Sequence, residues 1–227
     1  MARPAGAVLD SGCAALDAAL PGGGWPTQGL TELLCEVPLS AEWRLLAPAL
    51  ARHTQAGGEV LLLAPPQRPQ AAACSAWGID ASRLVWVQPG GAHDSAWALG
   101  ECLRARLPLW LLAWLPEASP LTLRRLQVLA AGAVAPCTLV RPAAVAASAS
   151  PAPLRLRVWP EAGWRLGVQV LKRRGAPLTE PLWVDATPPA LAALWPQRAA
   201  APTPTAPAGQ ETHNALAGRA ARDALRA

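Results

Sequence analysis

The strongest constraint on the fold is the alternation of short apolar segments with amphipathic ones between residues 30 and 140. Apolar, strand-like runs occupy residues 30–35, 59–64, 84–87, 109–115 and 138–140. The segments between them have helical periodicity, at 40–55, 70–77, 94–107 and 121–133. Strands that alternate with helices form largely parallel sheets with helices on both faces. The sequence therefore predicts an α/β fold in which Leu112 and Trp114, on the central strand 109–115, are deeply buried.

The periodicity changes after residue 153, where apolar and polar residues begin to alternate. LRLRVW at 154–159 and WRLGVQVL at 164–171 predict a β-hairpin closed around residues 160–163. From residue 187 onward Pro and Ala dominate, which is typical of a linker. We therefore expect one α/β domain over residues 1–186 and a disordered Pro- and Ala-rich tail over 187–227, with a short helix near its end.

The composition fits a cytoplasmic protein with a large core. Of 227 residues, 52% are hydrophobic and 15% charged, and the net charge of +5 permits a polyanionic partner without requiring one. The N-terminal segment lacks the apolar run of a signal peptide, and the apolar stretch at 107–116 is too short to span a bilayer. We expect no membrane association.

The cysteines and histidines do not have the spacing of metal ligands. The five cysteines, at positions 13, 35, 74, 102 and 137, are widely spaced and form no C-x-x-C pair. The three histidines, at 53, 93 and 213, are equally far apart. We expect buried thiols and no metal site.

The strand at residues 30–35 lacks the phosphate-binding loop that should follow it in a nucleotide-binding domain. Such a loop reads G-x-x-x-x-G-K-[ST], whereas this chain continues EVPLSAEWR from residue 36. It offers no Gly for close backbone approach and no Lys for the phosphates, and its two acids would repel a polyanion. We interpret it as a degenerate phosphate loop that binds no cofactor, at Cys35, Glu36, Ser40, Glu42 and Arg44.

A second nucleotide-hydrolase feature is missing from the strand at 109–115. In such enzymes this strand ends in an acid that orients magnesium, but here it ends in Leu115 and Pro116, and Glu117 lies beyond in the loop. Loss of both features fits a scaffold that no longer hydrolyses nucleotides, so we expect no enzymatic activity. Two alternatives stay open: an ordinary α/β domain without this history, and an ATPase with a divergent site.

The predicted hairpin concentrates basic residues. If its loop spans residues 159–163, Arg157 lies opposite Arg165, and like charges in that position destabilise a strand pair unless an acid or an anion neutralises them. One interpretation is contact with nucleic-acid phosphates, and the other is a solvated face whose charge protects a sheet edge. The candidate contact residues are Arg155, Arg157, Arg165, Lys172, Arg173 and Arg174.

Several segments resemble known families. SGCAALDAALPGGGWPTQGLTELL at 11–34 resembles the segment before the phosphate loop of RecA-type recombinases. Together with later segments, it more closely resembles the ImuA family of bacterial translesion-synthesis-associated proteins, sometimes described as SulA-like. The later segments are LLLAPP (61–66), AWGIDASRLVWV (76–87), ALGECLR (98–104), AWLPEASPLTLRRLQ (113–127) and VLKRRGAPL (170–178). The resemblance covers roughly residues 8–186.

The resemblance implies a RecA-like fold of the P-loop NTPase type with a degenerate nucleotide site. It also implies an accessory role in DNA-damage-induced translesion synthesis and mutagenesis, close to the nucleoid. The implied partners are an ImuB-type homologue of Y-family polymerases, an error-prone C-family polymerase, the recombinase RecA and, weakly, DNA. The alternative is a cell-division inhibitor of the SulA type, which shares the damage-response setting and a RecA-like core.

The resemblance places the loop at residues 142–153 where recombinases carry a mobile DNA-binding loop. Here that loop is rich in Ala and Pro, and no basic residue follows Arg141 within it. We therefore expect a mobile loop without filament-type DNA binding, which leaves the hairpin as the better candidate for DNA contact.

Overall fold

The computed structural model describes residues 7–36 and 41–194, in which alternating strands and helices follow the predicted order. The elements are β1 (Val8–Leu9), α1 (Ala14–Ala19), β2 (Trp25–Pro26), β3 (Leu30–Cys35), α2 (Ala41–Gln55), β4 (Glu59–Leu63), α3 (Ala71–Ala76), β5 (Leu84–Val87), α4 (Ala92–Ala105), β6 (Leu109–Trp114), α5 (Pro120–Ala130), β7 (Cys137–Pro142), β8 (Leu154–Pro160), β9 (Arg165–Lys172), β10 (Leu182–Asp185) and α6 (Pro189–Leu194).

Strands β3 to β10 form one sheet in the order β10-β9-β8-β3-β7-β6-β4-β5, and β1 pairs with β2 separately. The six strands from β8 to β5 in this order are parallel, and β9 is antiparallel to both of its neighbours. The prediction of an α/β fold with a mostly parallel sheet is confirmed, as is the hairpin of β8 and β9.

Apolar cores lie on both faces of the sheet. One core joins α1, α2 and α3 to the sheet, and the other joins α4 and α5 to it. Leu112 and Trp114 are 0% and 5% exposed, which confirms their predicted burial. The prediction that their strand is central was wrong, because β8, β9 and β10 extend the sheet beyond β3 and leave β3 and β7 in the middle.

Local signals set several element boundaries as expected. The carboxylate of Asp80 accepts a hydrogen bond from the Ser82 backbone N–H at 2.9 Å and caps a single helical turn before β5. Ser119 caps α5 in the same way, and Pro120 occupies the first turn, where no donor is needed.

The predicted tail begins earlier than the structure supports. Helix α6 lies within the segment predicted to be disordered, and the described residues up to Leu194 belong to one compact unit. The rest of the predicted tail, including its terminal helix, lies outside the described residues.

A buried carboxylate connects three neighbouring strands at the centre of the sheet. Glu32 on β3 is fully buried, and its two oxygens accept hydrogen bonds from Arg141 on β7 at 3.0 Å and Arg155 on β8 at 2.6 Å. The remaining donors of Arg141 reach the carbonyls of Leu115 and Ala118, which follow β6. Two cations are thus held inside the protein by one carboxylate and by backbone dipoles.

Arg155 also holds the loop predicted to be mobile. Its guanidinium donates to the carbonyls of Val145, Ala146 and Ser148, and Lys172 donates to the carbonyl of Ser150. The expectation of a mobile loop at 142–153 was wrong in this respect, because its backbone is fixed by the basic residues expected to face DNA.

We predict that Glu32→Ala lowers the free energy of unfolding by about 3–5 kcal/mol, because it leaves two buried guanidinium groups without their carboxylate. Urea denaturation followed by far-UV circular dichroism measures this. The matched control is Glu36→Ala, which breaks the half-exposed ion pair with Arg157 and should cost less than about 1 kcal/mol. Equal losses in the two variants would contradict the central role of Glu32.

Candidate functional site

The candidate site lies at the carboxyl edge of the sheet, between the ends of β3 and β6. Open α/β sheets bind ligands outside the carboxyl ends of their strands, where successive connections leave in opposite directions. The chain leaves β3 through α2 towards β4 on one side, whereas β8 lies on the other side of β3. The residues at the start of α2 therefore occupy the usual ligand position of such a fold.

Glu42 stands where a phosphate-binding lysine would stand. If Glu36 takes the first position of the eight-residue phosphate-loop motif, Ala41 falls on the second glycine and Glu42 on the lysine. Glu42 is fully buried in the first turn of α2, and its Oε1 accepts a hydrogen bond from the Trp114 indole N–H at 3.2 Å. An acid of the protein itself therefore occupies the helix start, the part of a helix that attracts anions.

The same carboxylate reaches the end of β3. Burial, and then the nearby Glu42 carboxylate, raises the pKa of the Cys35 thiol, which also hydrogen bonds to Glu42. The Trp43 ring packs against Trp114 with centroids 6.1 Å apart. Cys35, Glu42 and Trp114 thus close the space between β3, α2 and β6 with a neutral thiol, a buried acid and an indole.

The other members of the predicted phosphate loop are dispersed. Glu36 points away from Glu42 and forms an ion pair with Arg157 at 2.6 Å. Arg44 donates to the Arg165 carbonyl at 3.2 Å and lies 5.1 Å from the centroid of the Trp164 ring. Ser40 lies outside the described residues. The structure therefore brings Cys35 and Glu42 together, but neither Glu36 nor Arg44 joins them.

The end of β6 opens onto a separate cleft. Leu115 is buried, and the exposed Glu117 lines a cleft of about 290 Å³ between α4 and α5 together with His93, Ser119 and Arg125. Within residues 7–36 and 41–194, no group of three or more His, Cys, Asp or Glu side chains is placed to hold a metal ion.

The cysteines are mostly interior thiols. Cys35, Cys74 and Cys137 are buried, whereas Cys13 and Cys102 are half-buried, and all five are free. Burial raises the pKa of Cys137 to about 12, so its thiol is protonated and unreactive at neutral pH.

The predicted register of the hairpin was wrong. Arg157 lies opposite Gln169 rather than Arg165, because Pro160 pairs with Leu166 and the turn takes up residues 161–165. An irregularity beside Arg155 shifts the register once more, so that Arg155 lies opposite Lys172. No like charges oppose each other at Arg157, and the reason to expect an anion there disappears.

The six basic residues of the hairpin do not form one surface. Arg155 is 6% exposed and belongs to the Glu32 cluster, so it is not available to a phosphate. Arg157 is paired with Glu36, and Arg173 donates to the carbonyls of Ala19 and Ala176. The exposed members are Arg165, which lies over the Trp183 ring, Lys172 and Arg174.

The open side of the hairpin is aromatic as well as charged. The rings of Trp159 and Trp183 meet edge to face with centroids 6.1 Å apart. A Cβ atom at Gly167 would overlap the ring of Trp159, so only glycine fits at that position of β9. Glu161 accepts a hydrogen bond from the Trp159 indole, which adds an acid to this side.

Three important residues escaped the sequence interpretation. Glu32 had a visible signal, because a charged residue in the otherwise apolar run LTELLC requires a buried partner. The alignment of Glu42 with the motif lysine could also have been read from spacing alone. The position of Trp164 had no signal, because it depends on a non-glycine residue that adopts a positive φ of 67° at the hairpin turn.

The chain matches no protein-family model and no curated protein sequence. In the part of the chain that the structure describes, no helix combines the length and apolar character needed to cross a bilayer.

We predict that Glu42→Lys, which restores the motif lysine, lowers the free energy of unfolding by about 3 kcal/mol, because it buries a cation beside the indole N–H. It should not create nucleotide binding, so ATP with magnesium should leave the melting temperature unchanged. Urea denaturation and thermal-shift assays measure the two effects. Glu117→Lys, an exposed change, is the control and should stay within about 0.5 kcal/mol of the wild type. Wild-type stability with an ATP-dependent rise in melting temperature would contradict our interpretation of the site.

Proposed function

We propose that this chain is a RecA-like protein of the ImuA type that acts as a non-catalytic accessory factor in DNA-damage-induced translesion synthesis. The observation that carries the proposal is the buried Glu42. It holds the position of the phosphate-binding lysine and is engaged by Trp114 and Cys35. A site filled in this way has no cation at the place where a nucleotide triphosphate needs one.

The fold supports the RecA-like assignment. The strand that precedes the lost phosphate loop, β3, lies in the middle of the sheet, and helices cover both of its faces. The segments that resemble the ImuA family fall on elements of this core. Residues 11–34 build α1, β2 and β3, residues 113–127 run from the end of β6 into α5, and residues 170–178 begin in β9.

An accessory protein of this kind works through surfaces. Its proposed partners are the ImuB-type homologue of Y-family polymerases and the error-prone C-family polymerase, with RecA as a third. Exposed apolar residues offer contact area to such partners, since Trp97 on α4 is 55% exposed and Leu121 on α5 is 78% exposed.

We predict that the purified chain binds the ImuB-type protein with a dissociation constant in the micromolar range or below, and that neither ATP nor EDTA changes it. Size-exclusion co-elution and biolayer interferometry with the full-length proteins measure this. Glu117→Lys is a folded control for the charge of the carboxyl edge, and Glu32→Ala is a control for loss of the fold.

Absence of association at micromolar concentration would count against the adaptor role. Division arrest on overexpression, together with absence of association, would favour the division-inhibitor alternative. Binding that requires ATP would favour the divergent ATPase instead.

We predict that DNA contact is weak and limited to the exposed basic residues of the hairpin. In fluorescence anisotropy with a single-stranded oligonucleotide, the Arg165→Ala/Arg174→Ala variant should reduce the logarithmic salt dependence of binding by about 2. Arg106→Ala/Arg124→Ala removes two exposed arginines elsewhere and is the matched control. If both variants change the salt dependence equally, the hairpin is not the contact.

A further inference from the structure

An open groove beside the carboxyl edge is walled by three tryptophans. It has a volume of about 450 Å³, and its walls are Trp43 from α2, Trp77 after α3 and Trp164 from the turn between β8 and β9. Cys74 and Ile79, both buried, also line it. We call this the tryptophan groove. Its volume lies within the roughly 300–1,000 Å³ typical of ligand sites.

The charged residues that line the tryptophan groove are both cations. They are Arg44 and Arg68, and the other polar lining residues are Gln67 and Gln70. Within the described parts of the chain, neither arginine forms an ion pair with a carboxylate. Asp185 on β10 acts on Arg44 only through space. The groove therefore combines an apolar interior with positive charge that lacks a direct counter-ion.

Arg44 is prepared for a further acceptor. Its Nε–H is buried and meets no acceptor among the described residues, and its Nη2 reaches only the Arg165 carbonyl at 3.2 Å. Burial lowers the pKa of Arg44, which shows that its charge is incompletely compensated. A guanidinium in this state favours a carboxylate, which can accept two parallel hydrogen bonds.

The third wall is held in an unfavourable backbone conformation. Trp164 has a φ of 67° and is 44% exposed, an arrangement that a bulky side chain rarely adopts. Its carbonyl accepts a hydrogen bond from the Ala186 N–H at 3.0 Å, which fixes the turn. The result is an indole held against Arg44 at the mouth of the groove. Backbone strain of this kind is concentrated at functional sites.

We propose that the tryptophan groove binds a short segment of a partner protein in which apolar side chains stand next to aspartate or glutamate. Charge complementarity excludes the chain's own residues 195–227 as the occupant, because they contain four arginines and two acids. A nucleotide triphosphate is also a poor fit, because the adjacent start of α2 carries the buried Glu42. The proposal depends on the lining of the groove alone and stands apart from the role in translesion synthesis.

The test is selection of a random peptide phage library on the purified full-length chain, followed by anisotropy with synthetic, fluorescently labelled versions of the enriched peptides. Enriched peptides should carry Asp or Glu beside Leu, Phe or Trp. Arg68→Glu should weaken their binding by about tenfold, and selection on that variant should favour Lys and Arg instead. The matched control is Arg124→Glu, an exposed change on α5, which packs against the other face of the sheet.

A second variant separates binding from folding. Trp164→Gly removes one wall and replaces a strained residue with one that accepts a positive φ. It should therefore weaken peptide binding while leaving the melting temperature equal or higher, whereas a purely structural role for Trp164 predicts a lower one.

Four outcomes would overturn the proposal: no enriched peptides, peptides without acidic residues, affinities unchanged by Arg68→Glu and Trp164→Gly, or displacement of the peptides by micromolar ATP. All of these measurements use this chain alone. Failure of polymerase association therefore has no bearing on them, and their failure leaves the proposed function standing.

Discussion

The arrangement of the carboxyl edge depends on one buried carboxylate. Glu32 is completely enclosed in the middle strand of the sheet and holds Arg141 and Arg155, which come from the two strands that flank β3. Each arginine uses its remaining donors to fix the backbone of a loop at that edge. Removal of the carboxylate would leave like charges close together in a medium of low dielectric, where an unpaired ion is very costly. The pairing of the three strands and the position of two loops therefore share one electrostatic cause.

A second buried acid gives the same edge its chemical character. Glu42 lies at the start of α2, the position that attracts an anion in folds of this kind, and Trp114 and Cys35 enclose it. The protein thereby supplies an internal anion where a ligand would otherwise supply one. The cations nearest to this edge, Arg44 and Arg68, lie to the side, in the apolar tryptophan groove. This separation of cation from helix start suits recognition of a protein surface better than recognition of a triphosphate.

Much of the fold could be predicted because it depends on local periodicity. The apolar runs of β3, β4 and β5 were placed to within one residue, and the predicted caps at Asp80 and Gly78 lie where the elements end. Strands β1, β2 and β10 were missed, since they contain two to four residues each, too few to show a period. The hairpin was found but its register was not, because the register depends on how many residues the turn takes up, and this turn includes the unusual conformation of Trp164.

The sequence by itself determined the α/β alternation, the buried strands and the absence of a phosphate-binding lysine after β3, because each of these is written in neighbouring residues. Only the tertiary structure decided what the charged residues do. Glu32 meets Arg141 and Arg155 across 109 and 123 positions of the chain, and Glu36 meets Arg157 across 121. Such pairs form because parallel strands bring distant segments side by side, and no local pattern shows which acid will neutralise which arginine. For that reason a hairpin that looks basic in sequence is largely neutralised in the folded protein, and the uncompensated positive charge lies instead among the tryptophans.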